Sequence, residues 1–158
     1  IIPKSSQMHS LMDRYSARDL EKKYVAVVSG IPKNKKGRIE SFISNHPDEA
    51  GKRYLSDEGK FAVTEYEVLE EYASASLLAL SIKTGRTHQI RVHLSGLGHP
   101  ILGDTLYGGD DARIKRQALH ASELSFTHPV RDERIAIKSQ LPSDILMLLK
   151  GLKEDLLN

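Results

Sequence analysis

Apolar and polar positions alternate along much of this chain, and turn residues separate the alternating segments. The run "KYVAVVSG" at 23–30 predicts a buried strand ending at Gly30, and "GRIESFIS" at 37–44 predicts a short strand after a basic turn, "IPKNKKG". "FAVTEYEVLEEY" at 61–72 alternates as a strand does, and "SASLLALSIKTG" at 74–85 predicts the next strand. Two further strands are predicted for "RQALHASELSFTHP" and "RIAIKSQLP".

Two segments near the ends of the chain have helical rather than alternating spacing. In "SSQMHSLMDRYSARDLEKK", at 5–23, apolar residues recur every three or four positions, and a serine at its start can cap a helix. The closing segment "SDILMLLKGLKEDLL" predicts another helix, which Ser143 can cap. The apolar positions of the first segment are Met8, Leu11, Met12 and Tyr15.

A short helix is predicted from Thr87 to Gly98. Ile90, Leu94 and Leu97 lie at i, i+4 and i+7, so they form one apolar stripe. Thr87 can cap the start of this helix and Gly98 can end it. The polar segment "NHPDEAGKRYLSDEGK" predicts a loop or hairpin, and "HPILGDTLYGG" predicts a loop with turn residues. These elements predict an α+β fold whose sheet is mixed but mainly antiparallel, with flanking helices.

Length and composition indicate one globular domain. The chain has 158 residues, of which 39% are hydrophobic and 28% are charged. No apolar run is long enough for a membrane span, and "IIPKSSQMHS" does not resemble a signal peptide. The chain has no cysteine, which excludes disulfides and thiolate metal sites and favours a cytoplasmic location.

The distribution of charge is more informative than the net charge of +2. Acidic residues concentrate at 65–71, whereas basic residues form three groups. If the basic groups share a face, that face would attract a polyanion; the alternative is a set of ordinary solvated faces. The groups are Lys22, Lys23, Lys33, Lys35, Lys36 and Arg38; Lys83, Arg86 and Arg91; and Arg113, Lys115 and Arg116.

The stretch from Lys83 to Gly109 combines basic residues, histidines and glycines. The first N–H groups of its predicted helix favour anions, and Arg86 just before that helix strengthens the tendency. Arg91 lies beside the apolar stripe, where a guanidinium needs a carboxylate or a phosphate as partner. The alternative for Arg91 is a structural salt bridge.

Other candidate chemistry is weaker. His88 and His93 are five residues apart, which places them on different sides of a helix, so a metal site is not expected. No nucleotide-binding glycine motif is present. Tyr24 lies in a predicted buried strand, where it is either a core aromatic with a satisfied hydroxyl or a platform for a nucleobase.

Four segments together resemble one known family. "TGRTHQIRVHLSGLGHPILGDTLYG", from Thr84 to Gly108, closely resembles the signature of RluA-type pseudouridine synthases. "EKKYVAVVSG" is similar to the strand of that family that bears a tyrosine, and "GKFAVTEYEVLEEY" and "RQALHASELSFTHPV" follow in family order. The resemblance implies an enzyme that isomerises uridine to pseudouridine in structured RNA, without a cofactor or metal, after flipping the base out of the stack.

The resemblance also implies roles for individual residues. Tyr24 matches the family's tyrosine, which stacks on the uracil, and Arg91 matches the arginine that pairs with the catalytic aspartate. Leu94 is a weaker candidate for an apolar pocket wall. The residues expected to shape the rim or contact RNA are Lys83, Arg86, His88 and Gln89.

This sequence departs from the family at the catalytic aspartate. The family's "HRLD..TSG" segment is absent, and Asp13, Asp19 and Asp104 do not match it. Asp104 is expected to be a turn residue whose carboxylate bonds nearby backbone N–H groups. We therefore expect a catalytic domain that lacks its first part and is inactive alone.

Two alternatives remain open at this stage. One is a non-catalytic RNA-binding module derived from the family, and the other is a domain that binds no RNA. Ribosomal and transfer RNA are both plausible partners for the family, no membrane partner is expected, and the oligomeric state is not readable.

Overall fold

The structure, a computed structural model, describes residues 18–45, 51–56, 58–82, 84–86, 88–128 and 130–157. These residues form a seven-stranded sheet with two α-helices and one short 3-10 helix. The strands are β1 (Arg18–Ser29), β2 (Lys36–Asn45), β3 (Arg53–Ser56), β4 (Lys60–Glu71), β5 (Ala75–Ile82), β6 (Leu119–Thr127) and β7 (Arg134–Lys138). The helices are α1 (Gln89–Gly96) and α2 (Ser143–Leu157), and the 3-10 helix is Thr105–Tyr107.

The spatial order of the strands is β3-β2-β4-β5-β1-β6-β7, and every neighbouring pair is antiparallel. The predicted α+β fold with a mainly antiparallel sheet is therefore confirmed, and the described sheet contains no parallel pair. β1 lies inside the sheet between β5 and β6, and its Ala26, Val27 and Val28 are wholly buried. Because successive side chains point to opposite faces, the sheet is covered on both faces at this point.

The predicted strands are present, but the first predicted helix is wrong over its last residues. Residues 18–23 belong to β1, where Lys22 pairs with Ile82 on one side and with Leu124 on the other. Backbone pairing on both sides outweighs a helical preference that rested on spacing alone. Residues 5–17 of that prediction lie outside the described part of the chain.

Helix α2 contributes Ile145, Leu148 and Leu152 to the main apolar core. It begins at Ser143, as predicted, but Leu146 N–H donates to the carbonyl of Pro142, so Pro142 rather than Ser143 takes the cap position. No helix among the described residues is long and apolar enough to cross a membrane.

Helix α1 ends as the sequence predicts. Gly98 has a φ of +92°, its N–H donates to Ser95 O, and the N–H of His99 donates to Leu94 O. This is a Schellman motif, which needs a residue that tolerates a left-handed conformation. At the other end, Thr87 is outside the described residues and His88 takes the cap position with a φ of 57°.

Candidate active site

Helix α1 and the side chain of Tyr24 lie on the same face of the sheet. Lys22 pairs with Ile82, which pairs in turn with Thr64, so these three side chains share one face. The amide of Gln89 on α1 donates to Thr64 Oγ1 at 3.0 Å, so α1 covers that face. Tyr24 is two residues from Lys22 and therefore points the same way.

A cavity of about 420 Å³ opens between α1 and the central strands. It brings together five residues that the sequence singled out on two separate segments of the chain. They are Tyr24, Arg86, His88, Gln89 and Arg91. Lys22, Ile82, Gly85, Ile90, Gln117 and Leu119 complete the lining.

Tyr24 does not have the surroundings of an ordinary core tyrosine. It is half-buried, and within the described residues its hydroxyl makes no hydrogen bond. Burial raises the pKa of its phenol, so the hydroxyl stays protonated at neutral pH. Tyr24 packs against the main apolar core and also lines the cavity, so its ring can contact a ligand as well as the core.

Arg91 forms a buried ion pair with Asp104. Its Nε and Nη2 atoms each lie 2.8 Å from one carboxylate oxygen. The Asp104 side chain is fully buried and that of Arg91 is 16% exposed, so the carboxylate lies behind the guanidinium as seen from the cavity. This bidentate contact raises the pKa of Arg91.

The pair corrects the prediction for Asp104. Its backbone does form the expected turn, because Asp104 O accepts from the N–H groups of Tyr107 and Gly109. Its carboxylate, however, bonds Arg91 rather than nearby backbone. Since the contact spans thirteen residues, no local turn pattern could show it.

Tyr107 connects the turn that carries Asp104 to two other elements. Its hydroxyl accepts a hydrogen bond from the backbone N–H of Arg53 in β3 and lies 2.9 Å from His88 Nδ1. Burial, Arg91 and Arg53 lower the pKa of His88, so the neutral ring can accept the proton of the Tyr107 hydroxyl. The Arg91 guanidinium lies 5.1 Å from the centre of the Tyr107 ring, within reach of a cation–π contact.

Gln89 has a positioning role in this structure. Its Nε2 donates to Val63 O and to Thr64 Oγ1, and its Oε1 accepts from Thr84 Oγ1 and the backbone N–H of Arg86. The side chain is buried and all four hydrogen-bonding positions are used. Gln89 therefore fixes the loop at 84–86 against β4, and its predicted contact with RNA stays a prediction.

The remaining predicted site residues lie elsewhere. Leu94 is fully buried in the core, and it is not part of the cavity lining although Ile90, one turn earlier on the same stripe of α1, is. Lys83 lies outside the described residues. The apolar stripe on α1 ends earlier than predicted, since Leu97 is exposed.

The early basic group does not face this cavity as a unit. Within it, Lys35 contacts Glu71, Lys36 lies 3.7 Å from Glu67, and Arg38 contacts Glu40 and lies 3.6 Å from Glu65. The acidic and basic groups of the sequence are thus paired across β2 and β4. Lys22 and Arg86, by contrast, have no ion pair in the described part of the chain and border the cavity.

A larger cavity, of about 640 Å³, lies across the other face of the sheet. Lys23, Val25 and Ala79 line it, and they alternate with the residues that face α1. Its cations Lys36 and Arg38 have glutamates beside them. Each of its three lining cations has a glutamate within 4 Å, and Tyr24 alone of the predicted site residues lines it, so this cavity is not the candidate site.

Similarity to known proteins agrees with this site. A family model described as RNA pseudouridylate synthase matches residues 1–96. The chain belongs to this family. It is 41% identical over 152 residues to YjbO of Bacillus subtilis, an uncharacterized RNA pseudouridine synthase, covering 96% of this chain and 54% of that protein.

Relatives with more specific names confirm the resemblance to RluA-type synthases. The chain is 40% identical to ribosomal large subunit pseudouridine synthase D of Xylella fastidiosa, covering 92% of this chain and 48% of that protein. The solved structure of human RNA pseudouridylate synthase domain containing 1 superimposes with a TM-score of 0.71 at 27% identity, covering 96% and 73% of the two chains. The chain spans about half the length of the curated relatives it matches.

The sequence singled out Tyr24 and Arg91, which line one cavity, but it did not indicate the residues that contact Arg91 from behind. Asp104 and Tyr107 lie inside the signature stretch, so the motif pointed at them without assigning a contact. Arg53 belongs to the segment at 45–60, for which the sequence predicts only a polar loop or hairpin. No feature of the sequence could show that its backbone reaches Tyr107, since the two residues are far apart in the chain.

Proposed function

We propose that this chain is part of an RNA pseudouridine synthase and that the 420 Å³ cavity receives the uridine to be isomerised. The proposal rests on one observation, that Tyr24 and the guanidinium of Arg91 line the same cavity. Tyr24 is half-buried there, and its hydroxyl makes no hydrogen bond within the described residues. Family membership supplies the reaction class. A cavity of this volume can hold a flipped nucleoside, which duplex geometry would otherwise keep stacked.

The residues of the site have distinct parts in this proposal. Tyr24 stacks on the uracil, which favours a flipped base by replacing part of its lost stacking. Arg91 uses Nε and Nη2 on Asp104, and no acceptor among the described residues contacts Nη1. That atom is available for the carboxylate that the family uses to attack the sugar or the base. Asp104 is buried behind Arg91 and is a positioning residue.

Ribosomal or transfer RNA is the proposed substrate. The name of the Xylella fastidiosa relative supports ribosomal RNA. We place the protein in the cytoplasm, where either RNA would be available, and propose no cofactor.

Stacking can be tested by changing the ring and the hydroxyl separately. Tyr24→Leu should weaken binding of a uridine-containing RNA stem-loop by about 1–3 kcal/mol, because an aliphatic side chain offers no aromatic face. Tyr24→Phe keeps the ring and should retain most of the affinity. Fluorescence anisotropy measures both, and equal losses for the two variants would contradict a stacking role.

The 158 residues alone are expected to form no pseudouridine. None of their aspartates stands in the "HRLD" context, and the carboxylate that contacts Arg91, that of Asp104, is bound to both Nε and Nη2 of its guanidinium. Conversion of ribosomal or transfer RNA by the purified chain, measured by mass spectrometry of nucleosides, would refute this expectation. RNA binding without conversion, in a longer protein that does contain "HRLD", would instead favour the non-catalytic alternative.

A further inference from the structure

A second cavity, of about 440 Å³, adjoins the first. Gly85 and Arg86 line both, so the two cavities meet at the loop that precedes α1. The far wall of the second cavity comes from Arg53 on β3 and Lys60 at the start of β4. Neither Arg53 nor Lys60 is among the site residues that the sequence predicts.

The second cavity is strongly cationic. Arg53, Lys60 and Arg86 line it, and no acidic residue among those that the structure describes does so. Arg86 Nε donates to Phe61 O at 2.8 Å, which holds the guanidinium in place without neutralising it. In the described part of the chain none of the three side chains forms an ion pair, and Lys60 makes no hydrogen bond through its ammonium group.

This lack of pairing is unusual within the molecule. Most of the other basic side chains have a carboxylate within 4 Å, even where both groups are well exposed to water. The paired cations are Lys23, Lys35, Lys36, Arg38, Arg91, Arg113, Arg116, Arg131, Arg134, Lys138 and Lys153. Three like charges around one cavity repel each other unless an anion lies between them.

We propose that this second cavity binds a backbone phosphate of the RNA strand, next to the nucleotide held in the first cavity. The inference rests on the proposed function, because that function supplies the RNA. Three cations around one opening suit a phosphate, whose oxygens accept several charge-assisted hydrogen bonds. Within the described ranges of the chain no aromatic side chain on which a base could stack lines this cavity, which favours the backbone over a base.

Gly85 lies where the two cavities meet. A Cβ atom on Gly85 would lie 3.1 Å from Nζ of Lys22, which has no ion pair among the described residues. Glycine at this position leaves room for an RNA backbone to approach the loop closely.

The test is the salt dependence of binding to a fluorescein-labelled oligouridylate. Each phosphate contact to a single strand contributes about 0.7 to the slope of log affinity against log salt concentration. Lys60→Gln should lower the slope by about 0.7, and Lys60→Gln with Arg53→Gln by about 1.4. At low salt we expect roughly threefold to tenfold weaker binding for the single variant.

Lys150→Gln is the matched control, because Lys150 is also exposed and unpaired among the described residues but lies on α2. Its slope should equal that of the unmodified protein. Arg53→Gln keeps the backbone N–H that binds Tyr107, so circular dichroism should show all variants folded.

Two results would overturn the inference, and they differ in whether the proposed function is also overturned. If the unmodified protein binds with a salt-dependent affinity that Tyr24→Leu weakens, while the Lys60 and Lys150 variants share one slope, the phosphate site is wrong and the proposed function stands. If the unmodified protein binds no oligouridylate and no stem-loop RNA, both are wrong.

Discussion

Replacement of Asp104 by alanine is expected to lower the free energy of unfolding by about 3–5 kcal/mol. The Asp104 side chain is fully buried, and both of its oxygens bond the Arg91 guanidinium at 2.8 Å. Removing the carboxylate leaves a largely buried cation without its counter-ion, which costs more than the pair itself contributes. Urea denaturation followed by circular dichroism measures the change.

Two controls separate the effect of burying the Arg91–Asp104 pair from the effect of removing a carboxylate. Asp111→Ala removes a carboxylate that also bonds an arginine through two contacts, but Arg113 is 40% exposed, so we expect a loss of about 1 kcal/mol or less. Replacing both members, with Arg91→Met and Asp104→Leu, should be less destabilising than Asp104→Ala alone, because no unpaired charge remains. If Asp104→Ala and Asp111→Ala lowered the free energy of unfolding equally, burial of the Arg91–Asp104 pair would not increase the cost of removing its carboxylate.

Acidification from pH 6.5 towards pH 4 is expected to destabilise the protein through His93. This side chain is fully buried on α1, with Nδ1 2.7 Å from Thr64 Oγ1 and Nε2 2.8 Å from Ser41 Oγ. Burial lowers its pKa to about 4. Neither hydroxyl carries a charge that could stabilise an imidazolium, so the folded state holds the neutral ring.

The direction of this pH effect follows from the protons that His93 binds in the folded and the unfolded states. Between the unfolded pKa of about 6.5 and the folded pKa of about 4, only the unfolded chain takes up the proton. Neutral His93 therefore makes its full contribution to the free energy of unfolding above pH 6.5. This contribution, roughly 2–3 kcal/mol in total, is lost as the pH falls through this window. His93→Gln removes the ionisable group while its amide can still bond both hydroxyls.

Urea denaturation of both proteins at several pH values between 4 and 7 provides the measurement. The stability difference between the unmodified protein and His93→Gln should shrink as the pH falls, since the variant lacks this proton uptake. Other groups titrate in both proteins and cancel in the difference. A difference that stays constant across this range would contradict a neutral, buried His93.

The sequence by itself determined the order and type of most elements. The pattern of apolar positions identified β1 from its Tyr24 onward, as well as β2, β4, β5, β6 and β7, because side chains on successive strand residues point to opposite faces of the sheet. Gly98 marked the end of α1, since a left-handed cap is a local requirement of the backbone. Motif resemblance identified the family and picked out Tyr24 and Arg91, which the structure places at one cavity.

Only the tertiary structure decided which charges are paired and which are free. Glutamates on β4 pair with cations on β2, Asp104 takes Arg91, and Arg53, Lys60 and Arg86 are left around one opening. It also decided that residues 18–23 are strand, because β6 pairs with this segment and β5 pairs with its last two residues, Lys22 and Lys23. Ion pairs and strand pairs join residues far apart in the chain, and one sequence contains no local pattern that records such partners.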